Sequence, residues 1–262
     1  MTLRAGLTRY LPPTALVAAL LLAWEAIVRL GHIEPVILPA PSLVLTALIN
    51  DRATLFASLG VTLATTFAAL LAAIVGGLFI AILFAQWKWL ERALLPIAVT
   101  LQVTPIFAIA PLLLAHLEPQ TTVLVCAFLV AFFPILANAA LGLASTDRNL
   151  VDLFSLYGAS RWQSLLQLRL PAALPSILGG IRIGGGLALI GAIAGELAAG
   201  ASGKETGLAF RIIEAGYRLN IPRMFAALTL ISLTGIAIFL FLSAVSHLLL
   251  RHWHDSALGE GN

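Results

Sequence analysis

The chain has 262 residues, 60% of them hydrophobic and only 10% charged, with a formal net charge of +3. Soluble domains are roughly 45–50% apolar and about 25% charged, so 15 Lys+Arg and 12 Asp+Glu are too few to solvate this chain, and its excess apolar side chains require a bilayer. A single Cys excludes a disulfide scaffold or a Cys-built metal centre, dispersed cations exclude a nucleic-acid footprint, and low charge with high apolarity excludes disorder.

A spanning helix needs about 20 mostly apolar residues. In chain order, residues 11–30, 58–85, 93–116, 121–143, 173–197 and 223–250 meet this length. They predict an all-α membrane protein with six transmembrane helices in one domain, residues 1–262. The first stretch follows Arg4 and Arg9 and ends with Trp24, Glu25 and Arg29. It is long for a signal h-region and has no small-x-small cleavage site, so it reads as a retained span rather than a removed leader. Glu25 and Arg29 are four apart on one helix face, the spacing of a local ion pair.

Residues 31–57 contain Leu38-Pro39-Ala40-Pro41-Ser42 and then a short helical run with Asp51 and Arg52. Residues 86–92 form a short turn with Trp87, Lys88, Trp89 and Arg92, and Trp at a span end suits the headgroup region. Residues 117–120 are a tight turn carrying Pro119, and residues 198–222 are polar, with Lys204, Glu205, Arg211, Glu214 and Arg218. With the N-terminus inside, Arg4, Arg9, Lys88, Arg92, Arg148, Arg161, Arg169 and Arg251 fall on the inner side. Arg52, Lys204, Arg211, Arg218 and Arg223 fall outside, with Arg29 at the boundary, a small bias toward N-inside.

Residues 144–172, between spans four and five, form the longest amphipathic stretch. Asp147 suits the cap of a first short helix, whose apolar positions Leu150, Val151, Leu153, Phe154 and Tyr157 recur at helical spacing. Gly158 fits the left-handed position after a helix end. Ser160 with Gln163 is a capping box that starts a second helix through Leu165, Leu166, Leu168 and Leu170, and Pro171 is expected to break or bend that helix before the membrane. Physics alone leaves two readings open: an amphipathic loop lying on lipid, or a rigid knob of Arg161, Trp162 and the Gly-Ala-Ser turn for a soluble partner.

This segment resembles the cytoplasmic loop of ABC importer permeases, whose pattern is Glu-Ala-Ala, three residues, Gly, nine residues and Ile-x-Leu-Pro. Here Gly158, nine intervening residues and Leu168-Arg169-Leu170-Pro171 fit it, while Asp152-Leu153-Phe154 keeps the acid and replaces the small pair by bulky residues. Ile37-Leu38-Pro39-Ala40-Pro41-Ser42, Thr104-Pro105-Ile106 through Ile109-Ala110-Pro111-Leu112, and Phe132-Phe133-Pro134-Ile135-Leu136-Ala137-Asn138 resemble, in the same order, phrases of the nitrate/sulfonate/taurine branch. The resemblance implies a permease subunit of an ATP-driven importer in a bacterial inner membrane, with both termini cytoplasmic. It implies that Asp152, Tyr157, Gly158, Ala159, Ser160, Arg161 and Trp162 dock on an ATPase. The implied partners are two ATPase subunits, a second permease copy forming a homodimer, and an extracytoplasmic solute-binding protein. ATP and Mg are then used by the ATPase, with no cofactor bound by this chain, for a small anionic or polar solute.

Gly203-Lys204 superficially fits a phosphate loop, but Ala198 and Glu205 stand where Gly and Ser/Thr are needed. Gly180/Gly184 and Gly191/Gly195 are small-xxx-small pairs suited to close helix packing, with a hinge as the sharper alternative. Pro105 and Pro111 interrupt the third span and Pro134 the fourth, and broken helices can line substrate paths. Gln102 and Thr104 beside that kink are pathway candidates. Glu196 is a further candidate, either lining the path or paired with a cation of residues 198–222. Asn138 is the last candidate, expected to bond between helices, and Arg182 is expected to snorkel. Cys126, His116, His247, His252 and His254 lack the spacing of a metal site. An ion-coupled secondary transporter or channel is the alternative function, and an intramembrane enzyme is disfavoured because no catalytic constellation sits on facing spans.

Overall fold

The computed structural model describes residues 3–200 and 206–251, with side chains from residue 12 onward. The described residues form helices α1 (Leu3–Leu30), α2 (Pro41–Asn50), α3 (Arg52–Gln86), α4 (Lys88–Val103), α5 (Ile106–Leu114), α6 (Pro119–Ala144), α7 (Arg148–Leu156), α8 (Arg161–Ser164), α9 (Leu170–Ala199), α10 (Leu208–Tyr217) and α11 (Ile221–Leu250). No strand occurs among the described residues. Among the described residues, five helices are long and apolar enough to span a bilayer, or six if α4 and α5, bent by 91° to one another, count as one span.

The centre of the bundle is the antiparallel pair α6 and α9. Along α9, Gly180, Gly184, Gly191 and Gly195 share one face and meet α6 in reverse order. A Cβ added at them would lie 2.7 Å from the Asn138 Cβ, 2.7 Å from the Ile135 Cδ1, 2.7 Å from the Ala127 Cα and 2.8 Å from the Val123 Cα. The two small-xxx-small pairs are therefore the seam itself, because only a missing Cβ lets the backbones approach this closely. Helices α3 and α11 pack around the pair through Leu70, Ala73, Ala131, Ile135, Ala188, Leu189, Ile238 and Leu242. At one end a second cluster joins Phe84, Leu136, Leu143, Leu165 and Ala173. At the other end, Val44, Leu55, Leu208, Ala226 and Leu230 hold α2, α3, α10 and α11 together.

Several sequence expectations change. The second span begins at Arg52, not 58, because nothing between them interrupts helical hydrogen bonding once Asp51 ends α2. Its 35 residues reach about 50 Å at 1.5 Å per residue, so α3 continues beyond the apolar layer. The third span is a right-angled pair instead of one rod. Thr104, held extended before Pro105 at φ −70° and ψ 125°, ends α4, as steric conflict with a following proline requires. Pro111 and Pro134, in contrast, sit within unbroken α5 and α6. Pro171 neither breaks nor separates the second loop helix from the fifth span. A π-helical turn, Leu165–Arg169, widens the backbone just before it, with the Leu170 N–H donating to the Leu165 carbonyl. This accommodates a ring that would otherwise strike the carbonyl four residues back, so residues 161–199 run on as one path. Helix α10 lies inside the segment read as a polar connection.

Gly191→Ala should destabilise the detergent-purified protein by about 1–3 kcal/mol, because the new methyl meets α6 backbone rather than a movable side chain. Gly186→Ala, whose Cβ would meet nothing within 4 Å, should leave the melting temperature unchanged or raised. Equal melting temperatures for the two variants would refute the seam.

Candidate coupling loop and translocation pathway

The loop between α6 and α9 is built by local hydrogen bonds. The Asp147 carboxylate accepts from the Asn149 N–H at 2.8 Å and caps α7. Gly158, at φ +74°, closes the helix: its N–H donates to the Ser155 carbonyl at 3.0 Å, and that of Ala159 to Phe154 at 3.0 Å. This pair of bonds is a Schellman motif, which favours glycine because other residues resist the left-handed region. Ser160 Oγ then accepts from the Gln163 N–H, while Gln163 Oε1 accepts from the Ser160 N–H at 2.7 Å, the expected capping box. Leu165, 1% exposed, fastens the turn to Phe84 and Leu143 in the bundle. Asp152, Tyr157, Gly158, Ser160, Arg161 and Trp162 are exposed and Ala159 half-buried. Tyr157 at 84% and Trp162 at 56% are large aromatic surfaces open to solvent. Sequence reasoning found the caps but missed Leu165 as the anchor, whose burial depends on α3 and α6.

The four pathway candidates separate in space. Gln102 and Thr104 line a cavity of about 790 Å³ at the α4–α5 bend, with Phe133 and Pro134 of α6 and Leu187 of α9 opposite. Asn138 lies in the α6–α9 seam against Gly180. Its amide does not bond between helices as expected; it donates to the Pro134 carbonyl on its own helix at 2.8 Å. Glu196 is at the other end of the bundle, 6% exposed. Its carboxylate accepts from Thr62 Oγ1 at 2.7 Å and from the Ala209 N–H at 2.9 Å. Thr62 Oγ1 in turn accepts from the Leu208 N–H at 2.9 Å. Glu196 thus meets the open N–H groups of α10, and the expected pairing with a cation is replaced, among the described residues, by this helix cap. Gly207 leaves the room: a Cβ there would collide with the carboxylate. Lys204, Gly203, Glu205, His252 and His254 lie outside the described residues.

The cations of this end turn instead to Glu214 and Asp51. Glu214 Oε2 is 2.9 Å from Arg211 Nη1 and Oε1 is 2.9 Å from Arg218 Nη2, while Arg223, 8% exposed, reaches Asp51 Oδ2 at 3.4 Å. Arg211 also donates to Ser58 Oγ at 2.8 Å. The Arg211 hydrogen bond holds the Glu214 carboxyl below the usual carboxylate range, opposed by partial burial and aided by the charges of Arg223, Arg211 and Arg218. The network ties α10 to α3 and α11: its pairs of Glu214 with Arg211 and Arg218 are local to α10, whereas Ser58 and Asp51 are far away in sequence and join only in the fold. Glu25 pairs with Arg29 as expected, and also accepts from the Ser42 N–H at 3.0 Å, which docks α2 on α1. Arg182 is exposed, with its Cζ 5.7 Å from the Phe239 ring centroid. Among the described residues, no group of His, Cys, Asp and Glu could hold a metal ion.

Residues 73–255 match the family described as "Binding-protein-dependent transport system inner membrane component". The chain belongs to this permease family. It is 35% identical to the "Probable ABC transporter permease protein" of Haemophilus influenzae, across 90% of this chain and 94% of that one. It is 35% identical to the "Riboflavin transport system permease protein" of Chloroflexus aurantiacus, across 90% and 88%. It is 32% identical to the "Formylaminopyrimidine transport permease protein" of Halalkalibacterium halodurans, across 92% and 95%. Permeases named for taurine, aliphatic sulfonates and nitrate are also among the relatives, the branch that its sequence phrases resemble. The protein is therefore a multi-pass inner-membrane permease subunit of a binding-protein-dependent ABC importer, and the alternative of an ion-coupled transporter or channel falls away.

Two measurements test how this permease holds α10. Glu196→Ala leaves the buried Ala209 N–H without its acceptor, a loss of about 1–3 kcal/mol, so hydrogen exchange at Leu208 and Ala209 should speed by roughly tenfold or more; unchanged exchange would refute the cap. Because the folded pKa of Glu214 is depressed, its stabilisation is complete above the unfolded pKa and is lost as pH falls through the folded value. A spin label at Tyr217→Cys should therefore gain mobility as pH drops from neutral to below about 4, and Glu214→Gln should remove that titration.

Proposed function

We propose that this permease supplies half of the translocation pathway of the importer and that its α7–α8 turn is the element through which a separate ATPase subunit drives it. The observation that carries the reading is the rigid turn at Tyr157–Gln163, fixed by a Schellman motif and a capping box and presenting Tyr157 and Trp162 outward. A movement can be transmitted only through an element stiffer than its surroundings, and here the stiff element continues through the π-turn into α9, the most buried span. Asp152, Tyr157, Gly158, Ala159, Ser160, Arg161 and Trp162 form the docking surface. The resemblance to ABC permeases supports a cytoplasmic position for this face and for both termini. It likewise supports a complex with two ATPase subunits, which bind ATP and Mg, and an extracytoplasmic binding protein.

A second copy of this chain completes the pathway. No residue of helix α4, which carries Gln102, is fully buried by the rest of the chain, and this is the support for a partner permease on that side. Gln102 and Thr104 line the path at the bend, Asn138 stands one turn from Pro134 in the seam, and Glu196 shapes the far end through α10. The cargo is a small polar or anionic solute, for which relatives named for riboflavin, formylaminopyrimidine and taurine mark the chemical range. ATP binding and release shift the permease between two states by differential partner affinity.

Pull-down of the tagged chain with its ATPase from detergent tests the docking surface. Gly158→Trp and Trp162→Ala should each reduce co-purification by about tenfold, the equivalent of losing one central aromatic contact, while eluting as monodisperse protein. Full recovery of the ATPase with both variants would overturn the docking role.

A further inference from the structure

The α7–α8 end of the bundle holds an open pocket of about 1200 Å³ between the α3–α4 turn and the loop that precedes α9. It is separate from the cavity at the α4–α5 bend, with which it shares no residue. Trp87, Lys88, Trp89, Arg161, Ser164 and Arg169 contribute to its wall, and no carboxylate does. Lys88 Nζ is bonded to Glu91 at 2.7 Å, but among the described residues neither Arg161 nor Arg169 is in an ion pair. The Ser164 hydroxyl is buried and has no hydrogen-bond partner. Arg161, Arg169 and Ser164 thus lack the counter-charge or acceptor that the chain itself could have provided.

The pocket also sits at a membrane boundary. Trp87 and Trp89 are exposed, at the point where α3 ends and α4 starts, and amphipathic indoles favour the headgroup layer. Guanidinium groups bind phosphate oxygens with paired donors, and a hydroxyl adds a third. Basic pockets between membrane helices attract anionic lipid headgroups for this reason.

We propose that this pocket binds a phosphate group, provided in the membrane by the headgroup of an anionic phospholipid. Arg161, Arg169 and Lys88 supply the charge, Ser164 the neutral donor, and the two indoles the interfacial walls. The site bridges the α3–α4 turn and the loop before α9, so its occupant ties the loop to the membrane surface. The inference rests on the pocket alone and needs neither the docking role nor a particular cargo.

Native mass spectrometry of the full chain, released from nanodiscs of phosphatidylcholine with or without phosphatidylglycerol, tests it. The expected result is retention of phosphatidylglycerol in preference to phosphatidylcholine, with Lys88→Gln and Arg169→Gln each reducing that preference by about fivefold. Arg148→Gln, a cation of the same loop outside the pocket, should not change it, and Arg169→Lys should restore part of it. In phosphatidylcholine alone, inorganic phosphate adducts lost in the same two variants, without any preference for phosphatidylglycerol, would keep the site but assign its occupant to soluble phosphate. Equal phosphatidylglycerol retention by the native chain and the Lys88→Gln/Arg169→Gln double variant, with matching size-exclusion profiles, would overturn the proposal. So would an equal loss in Arg148→Gln, which would mean diffuse attraction.

Discussion

Close contact between α6 and α9 is the constraint on which the rest of this structure depends. In a bilayer, apolar helices gain nothing by leaving lipid for one another except better contact. Four glycines on one face of α9 remove the atoms that would hold the backbones apart, and α6 meets them with its backbone and small or β-branched side chains. At the C-terminal end of α6 the same logic reappears at Gly142, where a Cβ would lie 2.8 Å from Ser176 and 3.1 Å from Ala173. The two helices therefore touch along their whole shared length, and α3 and α11 are added around a rigid pair.

This pair has a different device at each end. At one, the α7–α8 turn is stiffened by capping bonds and fastened by Leu165. At the other, Glu196, on the last turn of α9, accepts from the Ala209 N–H at the start of α10, and Thr62 accepts from the Leu208 N–H. A carboxylate at 6% exposure requires hydrogen-bond donors, and the helix start requires an acceptor, so each satisfies the other. In the proposed working cycle, α9 is the element shared by the face that meets the ATPase and the face that shapes the far end of the path. The right-angled α4–α5 span lies outside this rigid pair, and its bend places Gln102 and Thr104 around a cavity instead of within a packed interface.

The grouping of charges follows the same division. Lys88, Arg161 and Arg169 line one pocket, while Asp51, Arg211, Glu214 and Arg223 are joined in a network at the opposite end. Span parity assigns these cations to opposite sides, and their spatial separation agrees with that partition.

The sequence by itself determined the membrane class, because sixty per cent apolar residues leave no aqueous alternative. It also determined the capped turn at Asp147, Gly158 and Ser160, since these bonds close within a few residues, and the small-xxx-small register of α9, since helical periodicity alone puts those glycines on one face. The tertiary structure decided everything that depends on distant partners. Glu196 found Thr62 and Ala209 instead of a cation, Asn138 turned back to Pro134, and Arg223 reached Asp51. It also decided which prolines bend the chain: Pro105 does, while Pro134 stays in line within α6 between α3 and α9, and the π-turn before Pro171 absorbs its ring. A local rule states the strain that a proline or a buried charge creates, but only the packed neighbours determine how that strain is relieved.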